Sequence, residues 1–163
     1  MKSKTHRKSP RLADKLKKAV QHLHVDVFGY ESKVTQNITN YFSELSEETG
    51  IPRDRLILRI FKDEVNFRVG VYQEGRFVKR SAVWKLTALF IGTASSNLFD
   101  LEEKVVHKID AFLKQLATTH QTDDEQLQIC IGFHQDKVQV RAYQGIQYLD
   151  DIPLRVLIKH FTQ

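Results

Sequence analysis

The chain has 163 residues, of which 41% are hydrophobic and 28% charged, and this balance excludes a disordered protein. Its longest purely apolar stretch, residues 88–91, is far too short to span a bilayer, and no apolar run follows the N-terminus as a secretory signal requires. A single cysteine, Cys130, excludes an internal disulfide framework and predicts a cytoplasmic protein in a reducing compartment.

The N-terminus carries most of the positive charge. The net charge is +5, but residues 1–24 contain eight Lys or Arg and one Asp, so the remainder of the chain sums to −2. Apolar residues recur there with the spacing of one helical face, which predicts an amphipathic helix over residues 11–23. We predict that residues 1–27 form a basic arm and helix that docks electrostatically on a partner; a solubilising terminus is the alternative. The residues of this arm expected to contact phosphate are Arg7, Lys8, Arg11, Lys15, Lys17 and Lys18.

An internal duplication follows the arm. When residue 28 is placed over residue 99, the segment 28–92 lies over the segment 99–163 without a gap, and 13 of these 65 positions are identical. The hydrophobic pattern also keeps the same phase throughout both segments. This predicts two tandem α-β-β-β-α repeats, joined by a linker over residues 93–98, that pack together as one compact body.

The first helix of each repeat has one apolar face. Apolar residues fall at i, i+4, i+7, i+8 and i+11 from Val34, and the same spacing starts again at Val105. The period then changes to two, which is typical of a half-buried strand. This alternation begins at Leu56 in the first repeat and at Leu127 in the second.

Two more strands and a second helix complete each repeat. Short turns separate the three strands. The last helix is expected to begin at a cap, which is Ser81 in the first repeat and Asp150 or Asp151 before Pro153 in the second. The predicted fold is therefore α+β, with two three-stranded antiparallel meanders that each carry helices on one face.

The opposite face of each sheet is the candidate binding surface. Arg59, Arg68 and Tyr72 lie on it in the first repeat, and Tyr143 matches Tyr72 in the second. Arginine and tyrosine on an open sheet can hold phosphates and stack bases, but they are also typical of protein interfaces, and two such faces could pack together. The residues of the body expected to contact nucleic acid are Arg59, Arg68, Tyr72, Arg76, Lys79 and Arg80.

The sequence contains no recognised catalytic or metal-binding signature. The seven histidines do not form a zinc pattern, and the seven glycines form neither a P-loop nor a dinucleotide-binding loop. Cys130 lies in the middle of a predicted strand, where a packed thiol is expected. We therefore predict no catalytic residues, no metal and no cofactor; an enzyme whose site is built from scattered residues is the alternative.

The α-β-β-β-α order is similar to that of double-stranded-RNA-binding domains. In the first repeat the sequence Lys-Arg-Ser-Ala at residues 79–82 looks like the basic patch with which that family clamps phosphates. The loop at residues 62–64, however, lacks the family's Gly-Pro-x-His pattern, and the second repeat has Asp150 and Asp151 in place of the basic patch. Ribosome-hibernation-type domains share a β-α-β-β-β-α order, which a strand over residues 25–28 would allow. Both are topological analogies, and no family is assigned.

The sequence favours a non-enzymatic nucleic-acid-binding protein that contacts mainly the backbone of RNA or DNA. The basic arm and the first repeat, which carries +2, are expected to bind, while the acidic second repeat is expected to be mainly structural. The alternative is an adaptor or assembly module that binds a protein partner, or forms a homodimer, through its open sheet or its N-terminal helix. No membrane partner is expected.

Overall fold

The computed structural model describes residues 29–63, 66–91 and 98–162. Residues 34–163 form one compact unit. The predicted arm and its helix lie outside the described residues, as does the linker apart from Leu98, which is already helical. Within the described part of the chain, no helix is both long and apolar enough to cross a membrane.

The described residues form an α+β structure, as predicted. A short 3₁₀ helix precedes the first strand of each half, Arg53–Arg55 in the first half and Asp124–Gln126 in the second. In chain order the other elements are α1 (29–49), β1 (Leu56–Asp63), β2 (Asn66–Gln73), β3 (Arg76–Ser81), α2 (Val83–Ile91), α3 (Leu98–His120), β4 (Leu127–His134), β5 (Lys137–Gln144), β6 (Gln147–Ile152) and α4 (Leu154–Thr162).

The six strands form one antiparallel sheet in the order β3-β2-β1-β4-β5-β6. Its two halves meet where β1 pairs with β4, from Ile57 opposite Gly132 to Phe61 opposite Gln128. The meanders predicted from the sequence are therefore not separate sheets. They share a continuous hydrogen-bonded ladder, and neither β1 nor β4 is an edge strand.

The core lies between the helices and one face of this sheet. Leu56, Leu58 and Ile60 of β1 are at most 1% exposed, and the corresponding apolar residues of β4 are fully buried. The predicted helix faces starting at Val34 and Val105 are buried against them. The alternation read from the sequence therefore identifies which side of each central strand faces the helices.

The predicted caps of the last helices are wrong. Ser81 is the last residue of β3, and its buried Oγ lies 2.8 Å from the hydroxyl oxygen of Tyr41. At the start of α2 the carbonyl oxygen of Ala82 accepts the hydrogen bond of the first turn, from the Lys85 N–H at 3.1 Å. The carbonyl oxygen of Pro153 has the same role at α4, and the two aspartates before it lie in β6.

Candidate functional site

The face of the sheet that points away from the helices is called the open face below. Residues that pair directly across antiparallel strands point to the same side, so the strand register defines its surface. Three rows of side chains cross the strands: Phe77–Tyr72–Ile57–Gly132–Gln139, then Arg80–Gly70–Arg59–Cys130–Arg141–Asp151, then Arg68–Phe61–Gln128–Tyr143–Tyr148.

The middle row is built around Arg59, at the centre of the sheet. Its guanidinium carbon lies 4.1 Å from the centroid of the Tyr72 ring, a cation–π contact. Gly70 makes this arrangement possible, because a Cβ there would lie 2.9 Å from Cε1 of Tyr72. Tyr72 therefore folds over a strand position that has no side chain and supports the Arg59 guanidinium from one side.

Cys130 pairs with Arg59 across the β1–β4 ladder. Burial raises the pKa of its thiol, and the charge of Arg59 opposes this rise only in part. The thiol therefore stays protonated at neutral pH, and a protonated thiol is a poor nucleophile. This residue acts as a small polar neighbour of Arg59, as the sequence predicts for a packed thiol.

Each end of the open face carries an edge-to-face aromatic pair. The ring centroids of Tyr72 and Phe77 are 5.6 Å apart, and those of Tyr143 and Tyr148 are 5.9 Å apart. The edge-strand members are well exposed, Phe77 at 61% and Tyr148 at 49%. These two rings present their faces and edges to solvent on strands β3 and β6, where no helix covers them.

Three buried side-chain polar atoms on this face have no hydrogen-bond partner among the described residues. They are Arg59 Nε, Gln128 Oε1 and Arg141 Nε. Arg141 Nε does lie 3.4 Å from a carboxylate oxygen of Asp151, but without hydrogen-bond geometry. Native proteins pair nearly all buried polar atoms, so three unpaired ones on one surface are an unusual feature of the open face.

A shallow pocket of about 180 Å³ opens beside the middle row. Gly132 is one of its lining residues, and a Cβ built on that glycine would meet Ile57 Cγ1 at an ordinary contact distance of 3.5 Å. Polar side chains of Gln139 and Arg141 also line the pocket. The open face is therefore not flat, because the missing side chain at Gly132 leaves a hollow between two polar groups.

The charge of the open face opposes that of the rest of the body. It carries five cationic side chains (Arg59, Arg68, Arg80, Lys137 and Arg141) against two acidic ones (Asp63 and Asp151), whereas residues 25–163 together sum to −2. The acids pair locally, with Arg68 Nε 2.6 Å from Asp63 and Arg141 Nε 3.4 Å from Asp151. Positive charge is therefore concentrated on the side of the sheet without helices.

The structure brings four of the six predicted body residues together. Arg59, Arg68, Tyr72 and Arg80 all lie on the open face. Lys79 lies on the helix side of the sheet, where its Nζ is 3.0 and 3.1 Å from the two carboxylate oxygens of Glu48. Arg76 also falls on the helix side, because it pairs with Gln73, and the residues predicted in the arm lie outside the described part of the chain.

Sequence reasoning misses the aromatic edge and the contribution of the second half. It places Phe77 and Tyr148 in the third strands without assigning them a face, and it gives Arg141 no binding role because the second half is acidic. A bulge between Val71 and Tyr72 shifts the pairing of β3, so counting alternate residues does not give the side of Phe77. Its counterpart lies between Ala142 and Tyr143. The sequence signal that could indicate this aromatic edge is the aromatic residue near the start of the third strand in each repeat, Phe77 and Tyr148.

Among the described residues, no group of three or more His, Cys, Asp or Glu is arranged to hold a metal ion. No protein-family model, curated protein or solved structure matches the chain.

Proposed function

We propose that this chain is a non-enzymatic nucleic-acid-binding protein that contacts mainly the phosphate backbone of RNA or DNA. The observation that carries the proposal is the open face itself, where a row of arginines crosses the sheet and an exposed aromatic ring lies on each edge strand, on a body that is otherwise acidic. Phosphate contacts from clustered arginines supply affinity without sequence specificity. A reducing, cytoplasmic compartment fits the single protonated thiol.

Three arginines of the first half are the principal phosphate contacts in this proposal. Arg80 of β3 and Arg59 of β1 lie in the middle row, on either side of Gly70, and Arg68 of β2 lies in the neighbouring outer row. Because the Tyr72 ring supports the Arg59 guanidinium from one side, the hydrogen-bonding edge of this guanidinium is preorganised for an anion. The basic arm adds further charge through Arg7, Lys8, Arg11, Lys15, Lys17 and Lys18.

We also propose that the body arose from two tandem α-β-β-β-α repeats, residues 28–92 and 99–163. The offset that places residue 28 over residue 99 also carries the bounds of β1, β2, β3 and α2 onto those of β4, β5, β6 and α4. The central pair of the β1–β4 ladder, Arg59 opposite Cys130, consists of two residues that are equivalent under the same offset. This agreement of backbone bounds supports common ancestry more strongly than the 13 shared identities.

Strands β2 and β3 offer a matched test of the proposed surface, because their basic residues point to opposite sides of the sheet. One double variant, Arg68→Gln with Arg80→Gln, removes two charges from the open face. The control, Arg76→Gln with Lys79→Gln, removes two charges from the helix side. Both change the net charge equally, so long-range electrostatics is held constant.

Binding of labelled RNA and DNA is measured by fluorescence anisotropy over a range of salt concentrations. We expect the open-face variant to bind about tenfold more weakly, with its salt slope reduced by about 1 to 2, because each phosphate contact contributes about 0.7 to 0.9 to the slope. The control should keep the wild-type slope within about 0.5. Equal losses in the two variants would show that only net charge matters and that the open face is not the binding surface.

Neutralising the six basic residues of the arm to glutamine tests its share separately. We expect affinity at low salt to fall further than for the open-face variant, since six charges are removed instead of two. An arm variant that binds as tightly as the wild type would restrict the proposal to the open face. No binding by any form at low salt would reject it entirely.

A protein interface is the second candidate, and the exposed apolar residues of the open face favour it. Ile57 is 36% exposed, Phe77 61% and Tyr148 49%, and aromatic residues and arginine are enriched in interfaces. Apolar burial is not screened by salt as phosphate contacts are. A dimer that persists in high salt by analytical ultracentrifugation, and that Phe77→Ser weakens, would favour an adaptor or assembly role.

A further inference from the structure

We infer that the open face binds unpaired nucleotides, whose bases stack on Phe77 at one edge of the sheet and on Tyr148 at the other. This inference rests on the proposed function and adds the class of nucleic acid. It starts from the two exposed rings, because they make no phosphate contact and the backbone binding proposed above does not use them.

Stacking requires bases that are not already paired. A base pair in a duplex presents only its edges in the grooves, and reading those edges requires an element that protrudes, such as a helix or a two-stranded ribbon. The open face is instead the broad surface of a six-stranded sheet whose aromatic residues belong to the strands. Such a surface fits single strands, whose splayed bases stack on aromatic side chains.

The spacing of the two rings defines the length of strand that can reach both. Phe77 is on β3 and Tyr148 on β6, which are the two edges of the sheet. Neighbouring strands are about 4.8 Å apart, so five intervals give roughly 24 Å across the sheet. The two rings also lie in rows that are four residues apart, or about 13 Å along the strands, so their separation is roughly 27 Å. Stacked nucleotides are about 3.4 Å apart and splayed ones lie further apart, so a strand of at most about eight nucleotides reaches from one ring to the other.

The groups between the two edges suit the middle of such a strand. The three residues with a buried polar atom that lacks a partner, Arg59, Gln128 and Arg141, lie on β1, β4 and β5, which are three of the four strands between β3 and β6. The guanidinium groups of Arg59 and Arg141 can donate to phosphate or to base oxygens through their terminal nitrogens, and the Gln128 amide can pair with the edge of a base. The hollow at Gly132 leaves room for one base beside them.

Charge also favours a polyanion over a second copy of this chain. Two open faces brought together would place five cationic side chains opposite five others, with two acids on each side. A nucleic acid strand brings only negative charge to the same surface.

The full-length protein is tested with three fluorescent probes of equal charge: an oligonucleotide of about eight nucleotides, an abasic phosphodiester of the same length, and a hairpin duplex. We expect the single strand to bind at least about fivefold more tightly than the other two, because each stacked base adds to affinity. Affinity should also rise with strand length and level off at about eight nucleotides or fewer.

The variants Phe77→Leu and Tyr148→Leu remove the rings but keep an apolar side chain. Each should weaken binding of the single strand about 5- to 100-fold, leave its salt slope unchanged and leave the abasic probe unaffected. Trp84→Leu is the control, since this residue is 48% exposed but lies on α2, on the helix side of the sheet.

The outcomes separate this inference from the proposed function. If the abasic strand and the duplex bind as tightly as the single strand, stacking is rejected while backbone binding stands. If no probe binds at low salt, both are rejected. If Phe77→Leu and Tyr148→Leu abolish a dimer and have no effect on probe binding, the open face is a protein interface and the inference is rejected.

Discussion

The two halves of the body meet at two junctions with the same geometry and different chemistry. At the first, Lys62 of β1 lies 3.4 Å from Asp110 of α3 and 3.6 Å from Asp124 in the second 3₁₀ helix. At the second, the guanidinium carbon of Arg53, in the first 3₁₀ helix, lies 4.5 Å from the centroid of the Phe133 ring of β4. Lys62 and Phe133 occupy equivalent positions in the two halves, as do Arg53 and Asp124.

This difference shows which properties the architecture requires. Each junction needs a side chain from a central strand that contacts the turn of the other half, but an ion pair and a cation–π contact both meet that need. The buried sheet positions are restricted much more narrowly, since Leu56, Ile60 and their counterparts Leu127 and Ile131 are all fully buried and aliphatic. Packing therefore constrains the core, while polar contacts at the junctions are free to diverge.

The largest expected difference between the junctions is in stability. Phe133→Ala leaves a cavity next to Phe42, whose ring centroid is 5.1 Å away, and should reduce the free energy of unfolding by about 3 kcal/mol or more. Lys62→Met keeps the aliphatic stem and removes only a partly exposed ion pair, so its expected cost is about 1 kcal/mol.

Urea denaturation of both variants measures this contrast, with Phe133→Leu as the control that restores most of the volume. Both variants should unfold in one transition, because the halves share one sheet and one core. Equal losses of stability would mean that the ionic junction holds the halves together as strongly as the aromatic one.

A second contrast concerns the two glycines of the open face. Gly70→Ala brings a Cβ to 2.9 Å from the Tyr72 ring and must displace it from Arg59, so we expect a loss of about 1 to 2 kcal/mol. In Gly132→Ala the new Cβ lies at an ordinary contact distance of 3.5 Å from Ile57. Alanine loses less conformational entropy on folding than glycine, so stability should stay unchanged or rise by up to about 0.5 kcal/mol.

Thermal unfolding of the two glycine variants provides the measurement. A destabilised Gly132→Ala would show that the hollow in the second half is under packing constraint, as Gly70 is in the first. The wild-type hollow would then be structural rather than a place for a ligand.

The smallest expected effect is a dependence on pH that only the ionic junction shows. Burial alone would raise the pKa of Asp110, but the hydrogen bond from Lys114 and the charges of Lys62 and Lys114 outweigh it and hold this pKa below its ordinary value. The stabilisation from Asp110 is therefore present above the unfolded pKa of about 4 and is lost as pH falls through the lower folded pKa.

We expect Asp110→Asn to cost up to about 1 kcal/mol at pH 7 and almost nothing once the pH is below the folded pKa, where the wild-type carboxyl is protonated in both states. The cost of Phe133→Ala should not change over this range, because no ionisable group is removed. Denaturation of both variants at several pH values tests the difference. A cost of Asp110→Asn that does not depend on pH would show that the carboxylate acts through packing alone.

Sequence periodicity is sufficient to predict the secondary-structure elements and the core residues, but it is insufficient to predict how the two halves pair. The apolar spacing from Val34 and from Leu56 identifies the buried faces, because each depends only on residues close in the chain. The pairing of Arg59 with Cys130 joins residues that no local pattern relates. The single six-stranded sheet therefore cannot be derived from the spacing.

The candidate site is predictable in part for the same reason. Arg59, Arg68 and Tyr72 follow from alternation along β1 and β2, and the structure places them together. The prediction groups Lys79 with Arg80 because both are basic and adjacent, but adjacent strand residues point to opposite sides, and Lys79 pairs with Glu48. Charge in a sequence window is therefore a poor guide to charge on one face of a sheet.

The ladder between β1 and β4 also has a consequence for how fast the chain folds. Every other strand pair in the sheet joins neighbours in the chain, whereas this ladder pairs Arg59 with Cys130, in the other half of the sequence. Closing a loop costs about 0.6 kcal/mol more for each doubling of its length, so the local hairpins form at a much smaller entropic cost. We expect the two groups of hairpins to form early and the meeting of β1 with β4 to set the rate at which the native sheet appears.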